Sequence, residues 1–342
     1  MATHQEKSSI PIAFIICIIG ILVFESLNLY FDDRFYTTEM ATSQAAVSGL
    51  DGFRMKIKNE YSLNGGLDYD GLILGDSYLL SGVIPTFLEQ QTGKKIFNFS
   101  GFGDHGVFAS YCFLKNYLRT NSKKPQWIIL GYHPDTLSRT KLPAGYMYEL
   151  KEGNAVELIE EFGLAQGIKF QIPSLKHQFL YRQILFSFQR PRFLTPKQIR
   201  EFRESVITEK GFYSPHAFQA VAEPARDEDL NTAYRFHVSR SARENLQKIV
   251  RLAQDNGIRV IYVVPTLSDD WGRLYDRQSV RADYQGFLSS FHKLYPNIEI
   301  WDFQPRIKDF SLYSDRLHLN VNGAQRLTGL IARRLNSAIP QK

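Results

Sequence analysis

Ser77, His318 and Asp315 are the residues of this 342-residue sequence whose types and settings could support covalent chemistry. Ser77 closes the triplet Gly75-Asp76-Ser77, which follows the apolar run Leu72-Ile73-Leu74 and precedes a helical stretch. A serine on such a turn projects from the carboxyl edge of a sheet, beside helix N-terminal amides able to stabilise an oxyanion. Taken alone, the triplet reads equally well as a helix cap made by Asp76 or Ser77. Asp315-Arg-Leu-His318 lies near the other end of the chain, just before the last helical pattern. A serine nucleophile needs a base, and the base needs a carboxylate to fix its tautomer and stabilise the imidazolium. An aspartate three residues before a histidine in a turn can supply both. Taken alone, this segment is a surface loop with an incidental histidine; with Ser77 it makes the parts of a serine nucleophile system.

The elements that must bring these segments together follow from the apolar pattern. Short apolar runs at 70–74, 95–99, 127–130, 259–264 and 298–301 read as strands. Helical patterns at 81–91, 107–118, 238–255 and 278–294, and a last one capped by Asn322, lie between and after them. Buried strands alternating with helices imply an α/β fold with a doubly wound, flavodoxin-like, five-stranded parallel sheet and ligands beyond the strand carboxyl ends. The stretch 137–235 shows no clear strand and reads as a mainly helical insertion, with basic and aromatic residues interleaved through 176–210. That surface suits an anionic glycan, a lipid or protein partner, or plain solvent equally.

Composition bounds the rest. Hydrophobic residues make up 44% and charged residues 22%, as in ordinary globular proteins, and the net charge is +6. This modest excess fits attraction to an anionic membrane or an acidic polysaccharide, and no zinc-finger, P-loop or dinucleotide motif points to nucleic acid or a nucleotide cofactor. Of the two cysteines, Cys17 lies in the apolar N-terminal run and Cys112 beyond it, so a bridge between them is not expected. No metal or cofactor site is expected: His216 and His237 lack ligand spacing. Ile10 to Phe24 carries no charge and the apolar character continues to Phe31. With Lys7 before it and Asp32 and Asp33 after it, residues 1–31 read as an uncleaved membrane anchor that leaves the following domain outside the cytoplasm. Residues 32–67 read as a polar connector with a helical stretch and 68–338 as the catalytic domain.

Gly75-Asp76-Ser77 and Asp315-x-x-His318 resemble the first and last conserved blocks of the SGNH/GDSL hydrolase superfamily. Asn98-Phe-Ser-Gly101-Phe-Gly103 resembles its second, whose glycine gives a backbone N–H to the oxyanion. The run from Asn98 through Phe113-Leu-Lys to Gly131-Tyr-His-Pro-Asp135 is most similar to membrane-anchored members that help O-acetylate alginate or D-alanylate teichoic acids beside a membrane-bound O-acyltransferase. The resemblance implies Ser77 as nucleophile, His318 as base, Asp315 as its orienter, and N–H groups of Ser77 and of Gly101 or Gly103 as oxyanion donors. It implies an acyltransferase or esterase acting on a polysaccharide, or a non-catalytic accessory subunit of the same fold. In the third block the family carries Gly-x-Asn-Asp, whereas His133 stands in the Asn position here. An imidazole N–H can donate in its place, or His133 only lines the pocket.

Overall fold

The computed structural model describes residues 12–30, 50–103, 106–139, 147–172, 194–213, 236–277, 279–315 and 317–338. Its sheet consists of β1 (Gly71–Gly75), β2 (Ile96–Asn98), β3 (Trp127–Gly131), β4 (Arg259–Val264) and β5 (Glu299–Asp302). All neighbours pair in parallel, in the order β2-β1-β3-β4-β5. This is the flavodoxin-like order, whose switch point lies between β1 and β3.

The strands read as continuous apolar runs because both faces are covered. Successive side chains leave in opposite directions. Leu72, Leu74, Ile128, Leu130, Val260 and Tyr262 enter one core, with α5 (Gly106–Thr120), α10 (Arg240–Asp255) and α12 (Val280–Leu294). Ile73, Ile129, Ile261 and Val263 enter the other, with α3 (Ser77–Gly82), α4 (Pro85–Thr92) and α13 (Val321–Ala338).

The predicted helix over 81–91 is two helices. Pro85 lacks an N–H and holds Ile84 in extended backbone, which ends α3 and starts α4. α6 (Pro134–Ser138) and α11 (Asp269–Arg277) were not foreseen. Asn320, not Asn322, caps α13: its Oδ1 accepts the Gly323 N–H at 3.0 Å.

A larger correction concerns the predicted connector. α2 (Leu50–Ser62) is part of the folded body, with Phe53, Met55 and Ile57 fully buried. The described parts of the predicted insertion are helical: α7 (Ala155–Phe162), α8 (Leu164–Lys169) and α9 (Pro196–Thr208). Just beyond α9, the Lys210 carbonyl accepts the Asn98 N–H at 2.8 Å, so this segment satisfies an edge group of β2.

α1 covers Ile12–Tyr30, and its large apolar side chains from Ile12 to Leu27 are exposed. Among the described residues no helix is long and apolar enough to cross a membrane. The backbone of α1 alone runs 19 residues, about 28 Å at 1.5 Å per residue.

Candidate active site

The site is built where β1 and β3 end side by side. A Cβ on Gly75 would stand 2.3 Å from the Gly131 carbonyl oxygen, so only glycine permits this approach. The chain then turns at Asp76, whose buried carboxylate accepts the Tyr78 N–H at 3.0 Å and thereby caps α3. Its other oxygen accepts the His133 N–H and the Thr136 hydroxyl, both at 2.7 Å. The capping alternative raised by the sequence therefore holds for Asp76, while Ser77 becomes the first residue of α3 with its hydroxyl directed elsewhere.

That hydroxyl meets His318. Ser77 Oγ lies 2.8 Å from His318 Nε2, and His318 Nδ1 lies 2.7 Å from Asp315 Oδ2. A carboxylate facing Nδ1 places the ring proton there and leaves the Nε2 lone pair for the serine O–H. Asp315 Oδ1 accepts the N–H groups of Leu317 and His318, each at 2.8 Å. Partial burial raises the Asp315 pKa, but the hydrogen bond and charge of His318 and these two amides outweigh it. The net shift is downward.

Asp315 and His318 sit at the tip of a tight loop closed by an antiparallel bridge between Tyr313 and Leu319, both fully buried. The Tyr313 hydroxyl donates to the Ile307 carbonyl at 2.9 Å, and the Asn320 N–H donates to the Leu312 carbonyl at 2.9 Å. Beneath the loop, a Cβ on Gly323 would lie 2.1 Å from the Leu312 oxygen. Gly323→Ala therefore cannot be accommodated without moving the loop. A shift of about 1 Å in a reacting group can cost about 10²-fold in rate, so this variant is expected to react with a serine-directed probe about 10²-fold more slowly while remaining folded by circular dichroism. Wild-type reactivity would show that the loop adjusts freely.

The oxyanion expectations need one correction. The Gly101 N–H donates to the Gly75 carbonyl at 2.9 Å, so it is committed to the backbone network and is not an oxyanion donor. Gly103 does line the recess around Ser77, and the Ser77 N–H, in the first turn of α3, has no intrahelical acceptor. The recess holds about 120 Å³ and is completed by Tyr78, His133, Asp135, Thr136, Arg139, Leu317 and His318. His133 is buried, and its ring nitrogens lie 3.3 and 3.5 Å from the Tyr275 hydroxyl. It lines the pocket, and its Nδ1 also accepts the Asp135 N–H at 3.4 Å, which caps α6.

His216 lies outside the described residues, as do residues 176–193 of the basic and aromatic stretch over 176–210. Among the described residues no group of three or more His, Cys, Asp or Glu side chains could hold a metal ion. Sequence reasoning missed the scaffolding part played by Asn98. Its amide donates to the Leu79 and Val83 carbonyls, and its Oδ1 accepts the Ser100 N–H. A lone polar residue ending an apolar strand was the available signal.

No protein-family model matches the chain, and no curated protein matches it in sequence. Among solved structures, one provisionally described as a platelet activating factor from Streptococcus pneumonia is similar at 12% identity, covering 93% of this chain and 99% of that one with a TM-score of 0.42. A likeness at that level leaves the functional argument to the geometry of the chain itself.

Proposed function

We propose that the chain is a membrane-anchored, extracytoplasmic serine acyltransferase or esterase of SGNH type that acts on O-acyl groups of a polysaccharide. The observation that carries the catalytic part is the hydrogen-bonded chain from Ser77 Oγ through His318 to Asp315, with links of 2.8 and 2.7 Å. In the first half-reaction His318 Nε2 takes the Ser77 proton as Oγ bonds the acyl carbonyl carbon. The N–H groups of Ser77 and Gly103 face the developing oxyanion. The bond to the leaving oxygen or sulfur then breaks, and that atom takes the proton from His318. In the second half-reaction an acceptor hydroxyl gives its proton to Nε2 and attacks the acyl carbon, and Ser77 recovers its proton. Asp315 keeps the imidazole in register and stabilises its cationic form throughout.

Water as acceptor makes an esterase; a sugar hydroxyl makes a transferase. The exposed apolar surface all round α1 supports an anchor, because a helix apolar on every side is stable in lipid or in a core and not in water. An anchored domain fits transfer beside a membrane-bound O-acyltransferase that would deliver the acyl group, and this favours the transferase.

The test is direct. Full-length protein in detergent, treated with a fluorophosphonate, is expected to gain one adduct on Ser77 by peptide mass spectrometry. Well-folded protein that takes no label, or labels equally as Ser77→Ala, would point to a non-catalytic subunit. Acetyl release from p-nitrophenyl acetate with and without saturating oligosaccharide then separates the two activities. Hydrolysis that still dominates would leave only the esterase.

A further inference from the structure

The buried face of α2 carries cations where apolar residues are expected. Arg54 and Lys58 lie one turn apart, 5% and 0% exposed. Arg54 rests over the rings of Tyr213 and Phe202, at 4.0 and 5.0 Å. Lys58 reaches further in, and its Nζ donates to the Ser100 carbonyl at 2.6 Å. Burial, and then the Arg54 charge, pull the Lys58 ammonium well below its ordinary pKa. Hiding such a group carries a desolvation cost that a methionine of similar length would not, and the mechanism above does not use it.

What Lys58 holds is the peptide between Ser100 and Gly101. The oxygen of that peptide meets Lys58, and its N–H meets the carbonyl of Gly75 at 2.9 Å, two residues before Ser77. The Ser100 N–H is fixed by Asn98 Oδ1 at 2.9 Å. One peptide unit is thus clamped between α2 and the strand end that carries the nucleophile, two residues before Gly103 enters the recess. The same hydrogen bond that removes Gly101 as a donor ties the second loop to the first.

We propose that Lys58 is a positioning residue for acyl transfer: by gripping the Ser100 carbonyl it holds the Gly103 N–H where the oxyanion develops. The proposal rests on the acyl-transfer reading of Ser77, and it assigns to α2 a share in setting the oxyanion site.

The experiment compares full-length wild-type protein with Lys58→Met and Lys58→Arg. Each is titrated for active sites by fluorophosphonate labelling and assayed with p-nitrophenyl acetate. Inhibition by phenylboronic acid, whose tetrahedral serine adduct presents an oxygen to the oxyanion donors, is measured alongside. Outright loss of one oxyanion donor costs about 10²–10³ in rate. A displaced donor should cost less, so Lys58→Met is expected to lose about 10- to 100-fold in kcat per labelled site, with KM nearly unchanged. Its boronate inhibition constant should rise by a similar factor. Lys58→Arg, which keeps a donor, should recover part of both. A purely structural role would reduce the number of labelled sites and leave the boronate constant where it was, and that result overturns the proposal. So does an unchanged kcat. If Lys58→Met does not fold, Lys58→Gln takes its place under the same criteria. Wild-type protein that takes no label at Ser77 overturns the acyl-transfer reading and this proposal with it; labelled wild-type with indifferent Lys58 variants overturns this proposal alone.

Discussion

Ser77→Ala is expected to lower acyl transfer by at least about 10⁴-fold, with unfolding free energy changed by less than about 1 kcal/mol. The asymmetry follows from what the hydroxyl touches. Its hydrogen bond is to His318 Nε2, and the His318 side chain is 22% exposed, so water can take the vacated place. Capping of α3 rests on Asp76 and is untouched. Because nucleophile, base and orienter act as one unit, the double variant Ser77→Ala/His318→Ala should be no slower than Ser77→Ala alone. Independent, multiplying losses would mean that the two residues serve separate steps. Asp315→Asn should cost about 10³- to 10⁴-fold, since the amide favours the wrong imidazole tautomer. The lowered Asp315 pKa adds a sign for pH. A carboxyl depressed in the folded state contributes stability that is fully present above the ordinary aspartate range and is lost as pH falls through the lower folded value. Acid should therefore loosen this loop only below that ordinary range, as hydrogen exchange of the Leu317 and His318 amides would report.

The parallel sheet was legible in the sequence because strands buried on both faces leave unbroken apolar runs. The Arg259–Val264 strand was read to the residue. The coming together of Ser77 and the Asp315–His318 segment was legible because each sits at a strand-to-helix turn on one sheet edge, where parallel topology must collect them. Three things were not legible, for different reasons. The burial of α2 escaped because its buried face includes Arg54, Lys58, Asn59 and Ser62, polar residues whose partners lie 42 positions away for Lys58 and 93 for the Asn59 amide. No local pattern marks such a helix as core. Gly101 and Gly103 could not be told apart, because the choice depends on which N–H the Gly75 carbonyl captures. His133 carries the chemistry of a donor, but its ring accepts the Asp135 N–H in an unforeseen short helix and meets Tyr275, 142 positions away on another.

Asp76→Ala should be the most damaging single change to stability at the site, although this residue takes no chemical step. Its carboxylate is 2% exposed and accepts three hydrogen bonds, from Tyr78, His133 and Thr136. Truncation strands two backbone N–H groups and a hydroxyl in a buried space and removes the cap of α3. Breaking such a buried charged network costs about 3–5 kcal/mol, which should appear as a lower urea midpoint at unchanged slope. Asp76→Asn keeps the volume but turns an NH₂ group toward donors on one side, so it should recover only part of the loss. Thr136→Val, which removes one donor and leaves both N–H bonds intact, should cost only about 1 kcal/mol. Asp76→Asn separates the network from a general effect of cavities, because it disturbs the hydrogen bonds at nearly unchanged volume. Should Asp76→Ala cost less than about 1 kcal/mol, water would be reaching the donors. The β1 and β3 ends would then be held by their backbone pairing up to Gly75 and Gly131. Activity should fall alongside stability, because Asp76 joins the Ser77 turn to the His133 loop, and loosening that joint widens the recess in which the acyl carbonyl must sit against Ser77.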